Sequence, residues 1–146
     1  MITLKRAGKQ DIHLLLELEK SVSGTNVYSP ILTKDDWKEE FCTNDIFLIE
    51  NDRAIIGHCS YEKKGDSHVY LSGLMIIPAY QGKGLGKKVL KQILSGLTWA
   101  KRIDLVTHPE NKRAVSLYQS FGFEIEGRKE NYFGDGEPRL IMALNK

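Results

Sequence analysis

Three glycines at alternate positions, Gly82, Gly84 and Gly86, stand among four lysines, Lys83, Lys87, Lys88 and Lys91. Glycine lets backbone amides close around a bulky group because no Cβ intervenes. Leu85, Val89, Leu90, Ile93, Leu94 and Leu97 follow at helical spacing, so the glycines open a helix. Free N–H groups at a helix start favour an anion there. The chemistry these residues point to is the binding of a pyrophosphate. Taken alone, the stretch also admits a plain glycine turn beside a solvated basic helix face. A second stretch with chemical content runs from Asn111 to Phe123, where an amide at Asn111 precedes a phenol at Tyr118.

Spacing discriminates among phosphate-binding turns. A Walker loop has four residues between its glycines, followed by Lys and then Ser or Thr. Gly82 and Gly86 enclose three, and Lys88 occupies the hydroxyl position. A Rossmann turn has a third glycine three residues after the second, a place taken here by Lys87. The pattern that is met is Gln/Arg-x-x-Gly-x-Gly/Ala, at Gln81, Gly84 and Gly86, preceded by Pro78 and Tyr80.

With 146 residues the chain fits one domain, spanning 1–146, with one core. Its 41% hydrophobic and 27% charged residues are ordinary for a soluble globular protein. A net charge of +2 carries no nucleic-acid footprint. No apolar run reaches membrane-spanning length and the N-terminus lacks a signal-peptide core, so the expected location is the cytoplasm. Cys42 and Cys59 form no metal or redox spacing and read as free thiols.

The elements that must position these residues follow from patterning. Thr3–Arg6 reads as a strand and Asp11–Val22 as a helix capped by Asp11. Residues 21–30 read as loop. Thr33 caps a second helix, Lys34–Cys42, with Trp37 and Phe41 facing inward. Asp45–Glu50 and Ala54–Lys63 make a hairpin around Asn51-Asp52-Arg53. Ser67–Ile77 is a central strand ending at Pro78. Ile103–Thr107 is a strand in which Asp104, alternating with Ile103 and Leu105, faces solvent. Lys112–Phe121 is a helix stopped by Gly122. Phe123–Glu126 and Arg139–Leu144 are the last strands, separated by a turn at Gly134-Asp135-Gly136. This succession is that of a mixed α/β domain.

The Gln81–Gly86 turn closely resembles the acetyl-CoA pyrophosphate loop of the GNAT superfamily of N-acetyltransferases. Asn111 to Phe123 resembles the second signature of the same family, Asn-x-x-Ala-x-x-Leu-Tyr-x-x-x-Gly-Phe, at every fixed position. The resemblance runs from about Ser67 to the end. It implies a GNAT fold, α/β (α+β), with a central, mostly antiparallel sheet of six to seven strands flanked by four helices. It also implies acetyl-CoA as cosubstrate, no metal, and transfer of acetyl to a primary amine by direct attack in a ternary complex. Leu74, Met75 and Ile76 would lie along the pantetheine arm as an added strand. The Ile76 amide would polarise the thioester carbonyl. Gln81 and the turn Gly82, Lys83, Gly84, Leu85, Gly86 and Lys87 would hold the pyrophosphate. Asn111 would meet the cofactor near its pantetheine end while capping its helix. Tyr118 would be the general acid toward the leaving thiolate. Since a thiol titrates near ~8.5 and a phenol near ~10, full proton transfer is uphill by roughly 2 kcal/mol in water. Hydrogen bonding to the developing thiolate is the easier role.

The acceptor is less defined. The tail, from Arg128 through Tyr132-Phe133 to Leu144, resembles the protein N-terminal alanine acetyltransferases that act on ribosomal proteins. Those enzymes carry a glutamate base five residues before the Asn signature, where this chain has Val106. Tyr28, with Ser23 and Asn26 in its loop, and Tyr132 are the candidate substrate contacts. Glu62, His68 and His108 are the candidate bases. A protein N-terminus, a lysine, a polyamine, an aminoglycoside or another small amine all remain as acceptors. Nucleic acid and membrane are not expected as partners, and monomer and homodimer stay open. The competing function is a non-catalytic acyl-CoA sensor or partner-binding module that kept the fold; the presence of Tyr118 argues for catalysis.

Overall fold

The computed structural model describes all residues except 24–27 and 29. The strands are β1 (Ile2–Arg6), β2 (Asp45–Asn51), β3 (Ala54–Lys63), β4 (His68–Ile76), β5 (Arg102–Thr107), β6 (Glu124–Lys129) and β7 (Arg139–Asn145). The helices are α1 (Ile12–Lys20), α2 (Lys34–Thr43), α3 (Leu85–Ser95) and α4 (Lys112–Ser120). Among the described residues the strands form one seven-stranded sheet in the order β1-β2-β3-β4-β5-β7-β6. Every neighbouring pair is antiparallel except β4 and β5. This is the mixed, mostly antiparallel architecture expected from the sequence.

Local chemistry sets the boundaries. Thr33 Oγ1 accepts from the Asp36 N–H at 3.1 Å and starts α2 as expected. Asp11 does not cap α1: its carboxylate accepts from the Gly8 N–H at 2.9 Å and closes a 3-10 turn at Lys9–Asp11 ahead of the helix. The helix ends at Lys20, two residues before Val22, which is nevertheless buried. At the β2–β3 tip Asp52 and Arg53 both take positive φ, 49° and 75°, the geometry a two-residue hairpin loop needs. β6 extends to Lys129, three residues past the expected end, because its pairing continues to Lys129↔Arg139 beyond a bulge at Ile125/Gly127. Asp104 does not face solvent. Its side chain is 18% exposed, with Oδ1 3.0 Å from His68 Nε2 and Oδ2 3.3 Å from Arg102.

The sheet separates two apolar clusters. One, with Val89, Leu90 and Ile93, lies under α3 and α4; the other, with Leu15, Trp37 and Ile46, lies under α1 and α2. Trp37 is fully buried and Phe41 half-buried. β4 serves both clusters because its register shifts opposite Ser60/Tyr61. Val69 and Leu71 join the first cluster, and beyond the shift Leu74 and Ile76 join it while Met75 turns to the second. An extra residue in a strand reverses which side chains face which side.

β3 and β4 lie close at Gly57, where a Cβ would stand 1.9 Å from the Met75 carbonyl oxygen. Gly57→Ala is expected to cost about 1–3 kcal/mol, the usual range for overpacking, measured as a lower urea midpoint with an unchanged slope.

Candidate active site

β4 and β5 part company early. Their pairing covers His68↔Arg102 and Val69↔Ile103 and ends at Tyr70↔Asp104. Past that point the β4 edge is open. The Ile77 N–H donates to the Ile56 carbonyl at 2.8 Å, so by antiparallel alternation the amides of Leu74 and Ile76 point away from β3 and into the gap. The Ile76 carbonyl accepts from Gln81 Nε2 at 2.7 Å. Gln81 also accepts from Arg113 at 3.4 Å. It therefore braces the turn to both β4 and α4.

The glycine turn has the shape its sequence foretold. Gly82 and Gly84 adopt left-handed φ of 77° and 75°, which bulkier residues resist. Gly84 is the N-cap of α3 and offers no side chain to occupy the first N–H groups. At Gly86 a Cβ would sit 3.4 Å from Leu117, which keeps α3 and α4 close. These features border a groove of about 700 Å³, with Leu74 and Ile76 along one wall and Lys87, Lys112 and Arg113 at the glycine end. The groove fits acetyl-CoA on three counts: an open strand edge, a left-handed glycine turn at a bare helix start, and cations beside it. Lys112 and Arg113 escaped the sequence reading because they occupy unspecified positions of the Asn111–Phe123 pattern.

A second cavity, of about 420 Å³, opens on the α1–α2 side. Glu19 of α1, Glu40 of α2, and His58 and Glu62 of β3 contribute to its wall, with Val106, His108 and Phe133 opposite. Tyr28, Leu74, Asn111, Ala114 and Tyr118 border both cavities, so the two meet at the Tyr118 phenol.

The expected residues divide accordingly. Leu74, Ile76, Gln81, Gly82, Gly84, Leu85, Gly86, Lys87 and Asn111 border the groove. Met75 borders the second cavity instead. Lys83 stays outside, its ammonium 5.4 Å from the Tyr80 ring centre. Asn111 Oδ1 accepts from the Ala114 N–H at 3.3 Å and caps α4. Tyr132 does not border the cavity; its phenol interacts with that of Tyr70, and its neighbour Phe133 borders the cavity. Ser23 is exposed and away from both cavities, and Asn26 lies outside the described residues. Of the candidate bases, His68 borders neither cavity and is engaged with Asp104. Glu62 is 3.1 Å from Lys64. His108 is buried and committed: Nδ1 accepts from the Glu110 N–H at 3.0 Å, so the proton sits on Nε2, 2.9 Å from Glu137.

Burial sets the electrostatics. The Tyr118 phenol is pushed well above its ordinary range, chiefly by desolvation, with Tyr28 and Cys59 adding to the effect. The Glu40 carboxyl is raised, first by desolvation and then by the charge of Glu62 and other carboxylates.

Two cavities thus meet beside Tyr118, one bordered by the glycine turn and the other by carboxylates. The chain belongs to the acetyltransferase (GNAT) family, whose model matches residues 11–123. It is 45% identical over 86 residues to the spermine/spermidine N(1)-acetyltransferase of Bacillus subtilis, a match covering 57% of this chain and little more than half, 55%, of that relative. It is 31% identical over 139 residues to the putative [ribosomal protein bS18]-alanine N-acetyltransferase of the same organism, covering 91% of this chain and 88% of the other. Among solved structures, the ribosomal-protein-S18-alanine N-acetyltransferase of Escherichia coli superposes with a TM-score of 0.83 at 20% identity, over 99% of this chain and 94% of that one. No helix among the described residues is long and apolar enough to cross a membrane.

The raised Glu40 carboxyl has a signed consequence for stability. Its folded state favours the protonated form, so the stability tied to it is present below the ordinary carboxylate range and is lost as pH rises through the elevated value. Glu40→Gln is expected to melt higher than wild type at neutral pH, with the difference vanishing near pH ~4. Thermal unfolding across that interval checks it.

Proposed function

We propose that the protein transfers the acetyl group of acetyl-CoA to a primary amine of a small polycation such as a polyamine. The observation that carries this reading is the junction of the two cavities at Tyr118, with the glycine turn at the far end of one and glutamates in the other. The Leu74 and Ile76 amides lie along the acyl-pantetheine arm, and the Ile76 N–H polarises the thioester carbonyl. The left-handed glycines and α3 N–H groups take the pyrophosphate, assisted by Lys87 and Arg113. Asn111 holds the junction from the α4 cap. Tyr118, kept neutral by burial, donates a hydrogen bond to the departing sulfur and does not surrender its proton. The elevated phenol makes full transfer costlier than the roughly 2 kcal/mol it takes in water.

Glu19, Glu40 and Glu62 bring carboxylates from three elements to the acceptor side, which favours an ammonium-bearing substrate over a neutral one. A protein N-terminus is the second reading, favoured by Phe133 in the cavity wall and by the relative matched along most of this chain. Val106 stands in that wall with no carboxylate to serve such an acceptor.

CoA release measured with spermidine, a diamine and a peptide bearing N-terminal alanine separates the two. Spermidine is expected to give the highest kcat/KM, and turnover of the peptide alone overturns the polycation assignment. Tyr118→Phe is expected to lower kcat by about 10- to 100-fold, below the upper range for a full proton donor, while CoA affinity by calorimetry stays within about twofold. Equal loss of affinity and turnover would count against the role given to the phenol.

A further inference from the structure

An ammonium acceptor must lose a proton before it can attack. Near pH 7 only about one amine in ~2,500 is neutral if its pKa is ~10.4. The position that carries a glutamate base in similar enzymes is Val106 here, and His108 has spent its lone pair on the Glu110 N–H. Another imidazole borders the acceptor cavity. His58, on β3, is 4% exposed, and its Nε2 lies 3.2 Å from Glu19 Oε1. That contact places the ring proton on Nε2, facing the carboxylate, and leaves a lone pair on Nδ1. Nδ1 is buried and has no hydrogen-bond partner among the described residues. A buried polar atom left unsatisfied is costly, and a donor arriving from the ligand removes that cost. The ring is held edge-on by Trp37, with centroids 5.2 Å apart at 86°. Trp37 is itself anchored by its indole N–H to the Ile31 carbonyl at 3.1 Å. His58 is paired across the sheet with Met75, between the two β4 residues whose amides face the acyl arm.

We propose that His58, oriented by Glu19, is the proton acceptor for the incoming ammonium group. The inference rests on the acetyl-transfer reading above. One N–H proton of the ammonium passes to Nδ1, and the imidazolium is balanced by the Glu19 carboxylate. The freed nitrogen lone pair bonds the acyl carbon, the carbon–sulfur bond breaks, and the sulfur leaves as thiolate beside Tyr118. A second N–H proton reaches the sulfur to give free CoA, and His58 returns its proton to water. The sum is one N-acetylated amine, one CoA thiol and one released proton. Glu19 from α1 is the charged group in contact with the ring, and Glu40 from α2, Glu62 from its own strand, His108 and Arg139 line the same cavity. Its neighbours on β2 and β4, Leu48 and Met75, are apolar.

The test is the pH dependence of spermidine acetylation by His58→Gln beside wild type, with CoA affinity as a check of the groove. At pH ~7 the variant is expected to lose about 10²–10³ in kcat/KM, and the deficit is expected to shrink toward pH ~10, where roughly a quarter of the amine is already neutral. A deficit of equal size at both pH values makes the ring structural, and no deficit at pH ~7 places the base elsewhere; either overturns the proposal. Glu19→Gln covers the case of an unfolded His58 variant. It is expected to lose about tenfold at pH ~7 and to recover likewise, and a pH-independent loss or none overturns the orienting role. Absence of CoA release by wild type with every amine would defeat the acetyl-transfer reading itself. In a direct readout, the ¹⁵N resonance of His58 Nδ1 is expected to move when spermidine is added to the CoA complex. An unmoved resonance overturns the contact.

Discussion

The site depends on one interruption in the hydrogen-bond ladder. β4 and β5 start as a parallel pair and separate after Tyr70↔Asp104. A strand edge inside a sheet normally has its amides and carbonyls satisfied by a neighbour. Here the Leu74 and Ile76 amides are left facing a gap that protein backbone does not fill, while the Ile76 carbonyl is taken by Gln81. The register shift opposite Ser60/Tyr61 completes the arrangement, since it puts Leu74 and Ile76 on the α3–α4 side and Met75 on the other. The shift is secured from α2: Ser72 Oγ donates to Asn44 Oδ1 and lies 2.9 Å from Ser60 Oγ, while Asn44 Nδ2 donates to Glu40 at 3.0 Å. One network therefore ties the bulge that shapes the donor groove to a carboxylate of the acceptor cavity.

The two chambers are built at different energetic levels. The donor groove uses groups that fold at little cost: strand amides, glycines at conformations natural to them, and exposed lysines. The acceptor cavity gathers Glu19, Glu40 and Glu62 into a partly dehydrated space, and Glu40 bears the cost as a raised affinity for its proton. Carboxylates crowded in this way destabilise the empty protein and are relieved by a cation. On the proposed polycation reading, the substrate site and a site of local instability are the same place, a compromise between stability and function.

How much of this was visible in the residues depends on how local the chemistry is. The glycine turn and the helix that follows Asn111 were legible because each pattern is complete within a dozen consecutive residues, in backbone requirements and in side chains at fixed helical spacing. Hairpins and caps were legible for the same reason, Thr33 being an example. The acceptor cavity was not, because Glu19, Glu40, His58, Ser72 and Phe133 are far apart in the chain and converge only through sheet order. His58 is a case in point: inside the run Ile55–Tyr61 it reads as one polar residue in a strand, and nothing nearby announces a carboxylate from position 19. Asp104 misled in the opposite sense, since alternation sends it away from one core but does not reveal His68 and Arg102 beside it. Tyr132 and Phe133 are adjacent in the chain, and which of the two rings borders the cavity, here Phe133, lies beyond sequence patterning.

The two side chains proposed to handle protons, His58 and Tyr118, are rooted on different layers of the fold. His58 projects to the α1–α2 side of β3, and its strand neighbour Cys59 projects to the other side, where it contributes to the surroundings of Tyr118. The two side chains come from opposite faces of the sheet, yet both border the cavity of about 420 Å³. Burial suits both without further devices. It keeps the phenol neutral and able to donate, and it leaves Nδ1 of the imidazole without a hydrogen-bond partner among the described residues. The same dehydration that raises the phenol acts on the leaving sulfur, so a hydrogen bond between them gains strength where a full proton transfer would gain nothing. The gap between β4 and β5 thus supplies the strand edge that, on the acetyl-transfer reading, would carry the thioester past both side chains.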